Sequence, residues 1–202
     1  MVSLIGRFLM FGLVFFSGDS LANSLPNQIS GMVGSAQTVR GKFTQIKVIS
    51  GISKQLVSEG NFVVDKSLGV LWITEKPIYQ RLRVSKSTIR IDNRSGNLMT
   101  LDARSEPSVR YINELVIAVF SGDITSLERL FSYSGEVTSN SWTIELMPKS
   151  FSSTPFKKIL MSGGTTISRI TFLSKEGDST EIQFSDVRSA ANLTNDEVIQ
   201  FR

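Results

Sequence analysis

Neither cysteine nor histidine occurs anywhere in the 202 residues. Without cysteine there is no disulfide to brace the fold, no thiol nucleophile, and no residue at which a lipobox could be acylated. Without histidine the usual zinc sites and the Ser-His-Asp triad are excluded as well. A phosphate loop is missing too, because Gly163-Gly164 lacks the downstream Lys-Ser/Thr of a nucleotide site. The longest apolar run, FLMFGLVFF at 8–16, is well short of the roughly 20 residues needed to cross a bilayer. Charge of one sign is not in excess. The 22 basic and 18 acidic residues leave +4, a balance that does not argue for nucleic acid. Acidic pairs such as Glu59 with Asp65, or Asp178 with Glu181, fall in or beside predicted turns, where solvated carboxylates are the ordinary case. No residue set nominates itself for catalysis, so the chain is read as a non-enzyme with no metal and no cofactor.

What is present begins with a leader. Arg7, the apolar run and then SGDSLANS, with Ser20 and Ala22 at an A-x-A-like site, predict a secretory signal peptide over 1–22. Its loss removes Arg7 and Asp19 and leaves the net charge unchanged. The mature protein, 23–202, is expected to be one soluble domain outside the cytoplasm.

From Leu25 the apolar positions Leu25, Ile29, Met32, Val33, Ala36 and Val39 recur at helical spacing, with Pro26 suited to a first turn. The period then changes to two. KFTQIKVIS, LVSEGNFVV, GVLWITE, YQRLRV and STIRIDN read as strands, divided by Gly, Ser, Lys and Pro. Arg81, Arg83 and Arg90 alternate with apolar residues as a stripe that keeps an outer sheet face soluble. YINELVIAVFSGD reads as a helix ending near Gly122, and Asp123 or Thr125 can cap a second one, with Thr125 and Glu128 at capping-box spacing. Strands resume at WTIELMPK, KKILM, RITFLS and TEIQF, and VIQF reads as a last short strand at the edge. The sum is mainly β with some α, an antiparallel sheet of roughly ten strands with a helix before it and a helical pair in its middle.

One stretch asks a question. GNFVVDKSLGVLWITEKP is apolar on both faces of its two strands, with Phe62, Val64, Val70 and Trp72 on one and Val63, Leu71 and Ile73 on the other. A strongly curved sheet with helices over its mouth would leave an apolar chamber suited to an acyl ligand. The second face is expected to be partly covered by neighbours and partly exposed.

These residues carry a resemblance. VRGKFTQ resembles the Phe-Thr-Gln strand of LolA-type periplasmic lipoprotein carriers. Gly60, Phe62, Val64, Lys66, Val70, Trp72 and Pro77 then follow the pattern of the next block, and WTIELMPK and ITFLSKEGDSTEIQFSDV match in order. The resemblance implies an incomplete, open antiparallel β-barrel with a helical lid over a hydrophobic cavity, in the periplasm. It implies a monomer that takes acyl chains of lipoprotein or another lipid from an inner-membrane donor complex to an outer-membrane acceptor. On this reading the cavity is lined by Phe43, Phe62, Val64, Val70, Trp72, Leu82, Val84, Ile89, Ile91, Trp142 and Ile144. The lid is formed by Ile29, Met32 and Val33 of the first helix and Leu115, Val116, Val119 and Phe120 of the second. Family members hold the closed lid with an arginine before proline; here Lys66 and Ser67 stand at those positions, making Lys66 the expected latch without the planar fork. The rival reading is a periplasmic sensor of mislocalised lipoproteins built on the same half-barrel.

Overall fold

The computed structural model describes residues 24–34, 36–102, 104, 107–150 and 155–201, with the backbone only for 97 and 107–112. The expected signal peptide and its cleavage site lie outside the described residues. Helix α1 (Leu25–Val33) leads into six strands: β1 (Thr38–Val48), β2 (Leu56–Asp65), β3 (Gly69–Lys76), β4 (Gln80–Val84), β5 (Thr88–Asn93) and β6 (Gly96–Asp102). Helix α2 (Pro107–Ser121) and a 3-10 turn (Thr125–Arg129) follow. Five more strands come next, β7 (Phe131–Val137), β8 (Trp142–Pro148), β9 (Phe156–Gly163), β10 (Ile167–Ser174) and β11 (Ser179–Ala190), and then helix α3 (Asn195–Phe201).

All eleven strands form one antiparallel sheet in the order β6-β5-β4-β3-β2-β1-β11-β10-β9-β8-β7. Successive strands are neighbours throughout except at one join, β1 with β11, which puts Phe43 opposite Phe184 and Gln45 opposite Ile182. The outermost strands β6 and β7 do not pair with each other, so the barrel stays open. Alternation sets the two faces as the period of two requires. In β8, Trp142, Ile144 and Leu146 are buried, whereas Thr143 and Met147 are exposed and Glu145 is half-buried.

Helix α2 occupies the concave side and serves both halves of the sheet. Leu115, Ala118 and Val119 join Ile29 of α1 in a core with Trp142, Ile144, Ile159 and Ile170. Val116, Ile117 and Phe120, the adjoining stripe of the same helix, pack on Phe43, Phe62, Val70, Trp72 and Val84. Two neighbouring stripes on one helix are what 3.6 residues per turn make possible.

Four local readings need correction. The helical spacing that ran on to Val39 stops at Val33, where Gly34 takes φ +77, and Val39 lies in β1. The second helix of the pair is only a 3-10 turn, and its capping box is not made. Instead Asp123 Oδ1 accepts from the Ser126 N–H at 3.3 Å and the Thr125 hydroxyl at 2.8 Å. VIQF is not a strand but part of α3. The signal was present in Thr194 and Glu197: the Glu197 carboxylate accepts from the Thr194 N–H at 2.7 Å, and the Thr194 hydroxyl from the Glu197 N–H at 3.2 Å.

The fourth correction concerns the convex face. Val63 and Leu71, expected to be partly exposed, are 9% and 1% accessible, whereas Ile73 is half-buried as expected. Val63 and Leu71 lie in a cross-strand row with Arg40, Arg83 and Arg90, each directly opposite the next. Arg83 is itself buried and bonded to Asp92, which Arg81 approaches at 3.5 Å, so this is not a solvated cationic stripe. Helix α3 bridges the row. Its Glu197 pairs with Arg40 at 2.7 Å, and its Phe201 lines a recess with Leu68, Arg83 and Arg90. The C-terminal helix is thus held to this face at two points, Arg40 and the recess beside Arg83 and Arg90. Replacing Glu197 with alanine removes its half of the capping box and the pair with Arg40 together, and is expected to lower stability by about 1 kcal/mol in urea denaturation. An unchanged midpoint would mean that α3 does not hold itself to the sheet through Glu197.

Candidate functional site

The concave wall is built by strands whose alternate residues face inward. Phe43 and Trp72 stack with ring centroids 3.7 Å apart, although they sit on β1 and β3. They can meet because Gly60, between them on β2, has no side chain; a Cβ there would lie 3.0 Å from the Phe43 ring. Phe62 packs edge-on against Phe184 at 5.0 Å. From the lid side, the Phe120 ring enters this cluster, 5.1 Å from Trp72 and 5.7 Å from Phe184, edge-on to both. Such geometries are the favoured ones for aromatic pairs.

With Phe120 in place almost no free space remains. A cavity of about 30 Å³ lies between Val33, Val39, Phe62, Phe120, Ile167 and Phe184, near the ends of α1 and α2. That is room for a water molecule or two. Sites for small organic ligands run to about 300–1,000 Å³. The space beside Phe120 is therefore too small for such a ligand, and part of what fills it belongs to the helices.

Of the residues expected to line a cavity, Phe43, Phe62, Val64, Val70, Trp72, Val84 and Ile89 come together in one buried cluster, with Leu82 packed against it. Trp142 and Ile144 belong to the other half, with α1. Ile91 is half-buried, opposite Leu82 and Met99, and joins neither cluster. Among the expected lid residues, Ile29, Leu115 and Val119 are fully buried, Met32 and Val33 pack on the first core, Val116 on the second and Phe120 on both. Phe172, Phe184 and Val187 complete the wall and were not nominated from sequence. The alternation of Phe172 and of Phe184 was visible, but only the β1–β11 pairing sets Phe184 opposite Phe43.

Lys66 sits in the β2–β3 turn, which a buried carboxylate shapes. Asp65 accepts from the Ser67 and Leu68 N–H groups at 2.9 and 3.0 Å, the Thr38 hydroxyl at 2.9 Å and the Gln37 amide at 3.2 Å. Burial pushes its pKa up, but the Leu68 N–H, the Thr38 hydroxyl, the Ser67 N–H and the Gln37 amide outweigh this and hold it below 3.8. A carboxyl whose folded pKa is depressed stabilises the fold above its unfolded value, and that contribution is lost as pH falls through the folded one. Asp65→Asn is thus expected to lower the melting temperature at pH 7 and to flatten its decline below about pH 4. An unchanged acid limb would show that other carboxyls set it. Lys66 itself donates no side-chain hydrogen bond to the lid among the described residues. It lines a groove with Ser30, Gly34, Ile117, Ser121 and Gly122. One bond links α1 to the residue after α2, from Ser30 Oγ to the Gly122 carbonyl, a long one at 3.5 Å.

An open antiparallel sheet folded round helices that fill an apolar interior defines a half-barrel with a helical plug. Residues 34–198 match the family model for outer membrane lipoprotein carrier protein LolA, and the chain belongs to that family. No curated protein matches its sequence. Among solved structures it is similar to a DUF1329 family protein from Desulfovibrio piger, at 11% identity and TM-score 0.47 over 84% of this chain and 92% of that one. A LolA superfamily protein from Nitrosomonas europaea gives 10% identity and TM-score 0.45 over 84% and 93%. The Pseudomonas aeruginosa MucA/MucB complex gives 13% and 0.49 over 86% of this chain and 59% of that one.

Proposed function

We propose that this chain is a periplasmic carrier, one domain from residue 23 onward, that encloses an acyl chain of a lipoprotein or of another acylated envelope lipid. It works as a monomer between an inner-membrane donor and an outer-membrane acceptor. The observation that supports this most is Phe120, a lid side chain lying between two wall aromatics where cargo would lie. Cargo entry then requires α1 and α2 to move off the sheet.

The magnitudes suit a carrier. Each buried methylene contributes about 0.8 kcal/mol, so a tail with about twelve buried carbons gives about 10 kcal/mol gross. Val116, Ile117 and Phe120 are half-buried, so displacing each forfeits less than the about 1.5–3 kcal/mol of a fully buried side chain, which offsets part of that gain. Binding is then strong enough to take a lipid into water and weak enough to release it. Native mass spectrometry of protein expressed in the periplasm tests the reading. Bound acylated mass, with transfer of the bound species to acceptor vesicles, is expected. Protein that carries no lipid and takes up no acyl probe would remove the proposal. Stable binding to a membrane regulator without transfer would replace carriage by sensing.

A further inference from the structure

The rim of the plugged interior is not apolar all round. Beside the last turn of α2 runs a groove of about 470 Å³ that includes Ile117, Ser121, Lys66 and Lys86, and Ser121 also borders the small interior cavity. The two lysines come from the β2–β3 and β4–β5 turns, which open at the same end of the antiparallel sheet. Both are exposed, and neither makes a side-chain hydrogen bond or ion pair among the described residues. The acids nearby are engaged. Asp123 accepts from the Thr125 hydroxyl and the Ser126 N–H, Glu114 pairs with Arg129 at 2.7 Å, and Asp65 holds its turn. Asp123 lines the same groove and is paired with no cation among the described residues, so the two lysines leave the rim a net positive charge of one.

A second observation lies one groove further along α2. Asn113 is 1% accessible, yet neither its amide nitrogen nor its oxygen has a hydrogen-bond partner among the described residues. It lines a recess of about 380 Å³ with Ile117, Ser121 and the same Lys86. Unpaired buried amides are rare, because each lost hydrogen bond leaves a desolvated polar group. Asn113, Ile117 and Phe120 fall at i, i+4 and i+7, on one stripe of the helix that must move when the interior opens. A helix that only plugged an apolar chamber would be better served by leucine there.

We infer that the site takes an acyl lipid bearing an anionic headgroup, the tail replacing Phe120 in the interior and the phosphate or carboxylate lying between Lys66 and Lys86. The Asn113 amide then meets the polar linkage between head and tail. The inference rests on the carrier reading and adds to it the chemistry of the head. A neutral or cationic head would leave both ammonium groups unmatched.

The test is displacement of the neutral dye N-phenyl-1-naphthylamine by dodecyl phosphate and by dodecyl maltoside, each below its micelle concentration, with inorganic phosphate as a third competitor. Dodecyl phosphate is expected to act at about one-tenth the concentration of the maltoside. That advantage should shrink in about 0.5 M salt and vanish in the Lys66→Gln, Lys86→Gln double variant. Both lysines are solvent-exposed, so loss of the fold does not cloud the result. Equal potency of the two compounds, or a phosphate preference that survives in the double variant, would overturn the headgroup assignment and leave the chamber standing. Inorganic phosphate competing as well as dodecyl phosphate would overturn it too, since the groove would then bind free anions. If neither acyl compound displaces the dye or binds by calorimetry, the carrier reading falls and takes this inference with it.

Discussion

Phe120→Ala is expected to bind an acyl probe about tenfold more tightly than the parent while the empty protein loses roughly 2–4 kcal/mol of stability. The two effects share one cause. In the closed protein the Phe120 ring contacts Trp72 and Phe184 at 5.1 and 5.7 Å and packs on both core clusters. Removing it leaves an apolar void, and the surrounding strands cannot collapse far without breaking their ladders. Since cargo must displace that same ring, deleting it also removes part of the opening cost. Apparent affinity rises when the competent state becomes more populated. Urea denaturation and dye titration on one preparation separate the readings. Affinity that falls along with stability would make Phe120 an ordinary core residue, and the plug would have to be sought elsewhere on α2.

The other large effect concerns the wall. In Gly60→Ala the new methyl carbon would sit 1.9 Å from the Ile73 carbonyl oxygen and 3.0 Å from the Phe43 ring. The ring could shift, but the oxygen belongs to the β2–β3 ladder, which pairs Gly60 with Thr74 beside a register shift at Glu59. Relief means prising the two strands apart, so a loss of about 3 kcal/mol or more, or failure to fold, is expected. Gly31→Ala is the contrast. Nothing lies within 4 Å of a Cβ at Gly31, inside α1, and alanine there is expected to add about 0.5–1 kcal/mol. Equal midpoints for the two variants would contradict the strand register around Gly60. Substituting glutamate for Val70 or Trp72 is a poor probe of cargo binding, because at 1% and 8% accessibility both would bury a charge in the closed state.

Much of this architecture was legible from short-range pattern. Phe62, Val64, Val70 and Trp72 announce a shared face by alternation, and the apolar run from Tyr111 announces a helix. A four-residue apolar segment such as VIQF fits either period, so its type hinged on the Thr194–Glu197 cap. Lys66 shows the limit of residue-by-residue transfer. Its place in the turn follows from the pattern, but what its ammonium group meets depends on α1 and α2, far off in the chain.

By itself the sequence determined the excluded chemistry, the strand faces, the turn positions and the helix that carries Phe120, because each of these depends on residues a few positions apart. Tertiary structure alone decided that Phe184 stands opposite Phe43, that Glu197 of α3 pairs with Arg40 of β1, and that Phe120 packs between Trp72 and Phe184. Those contacts join segments scores of residues apart, and no local periodicity encodes which strand lies beside which.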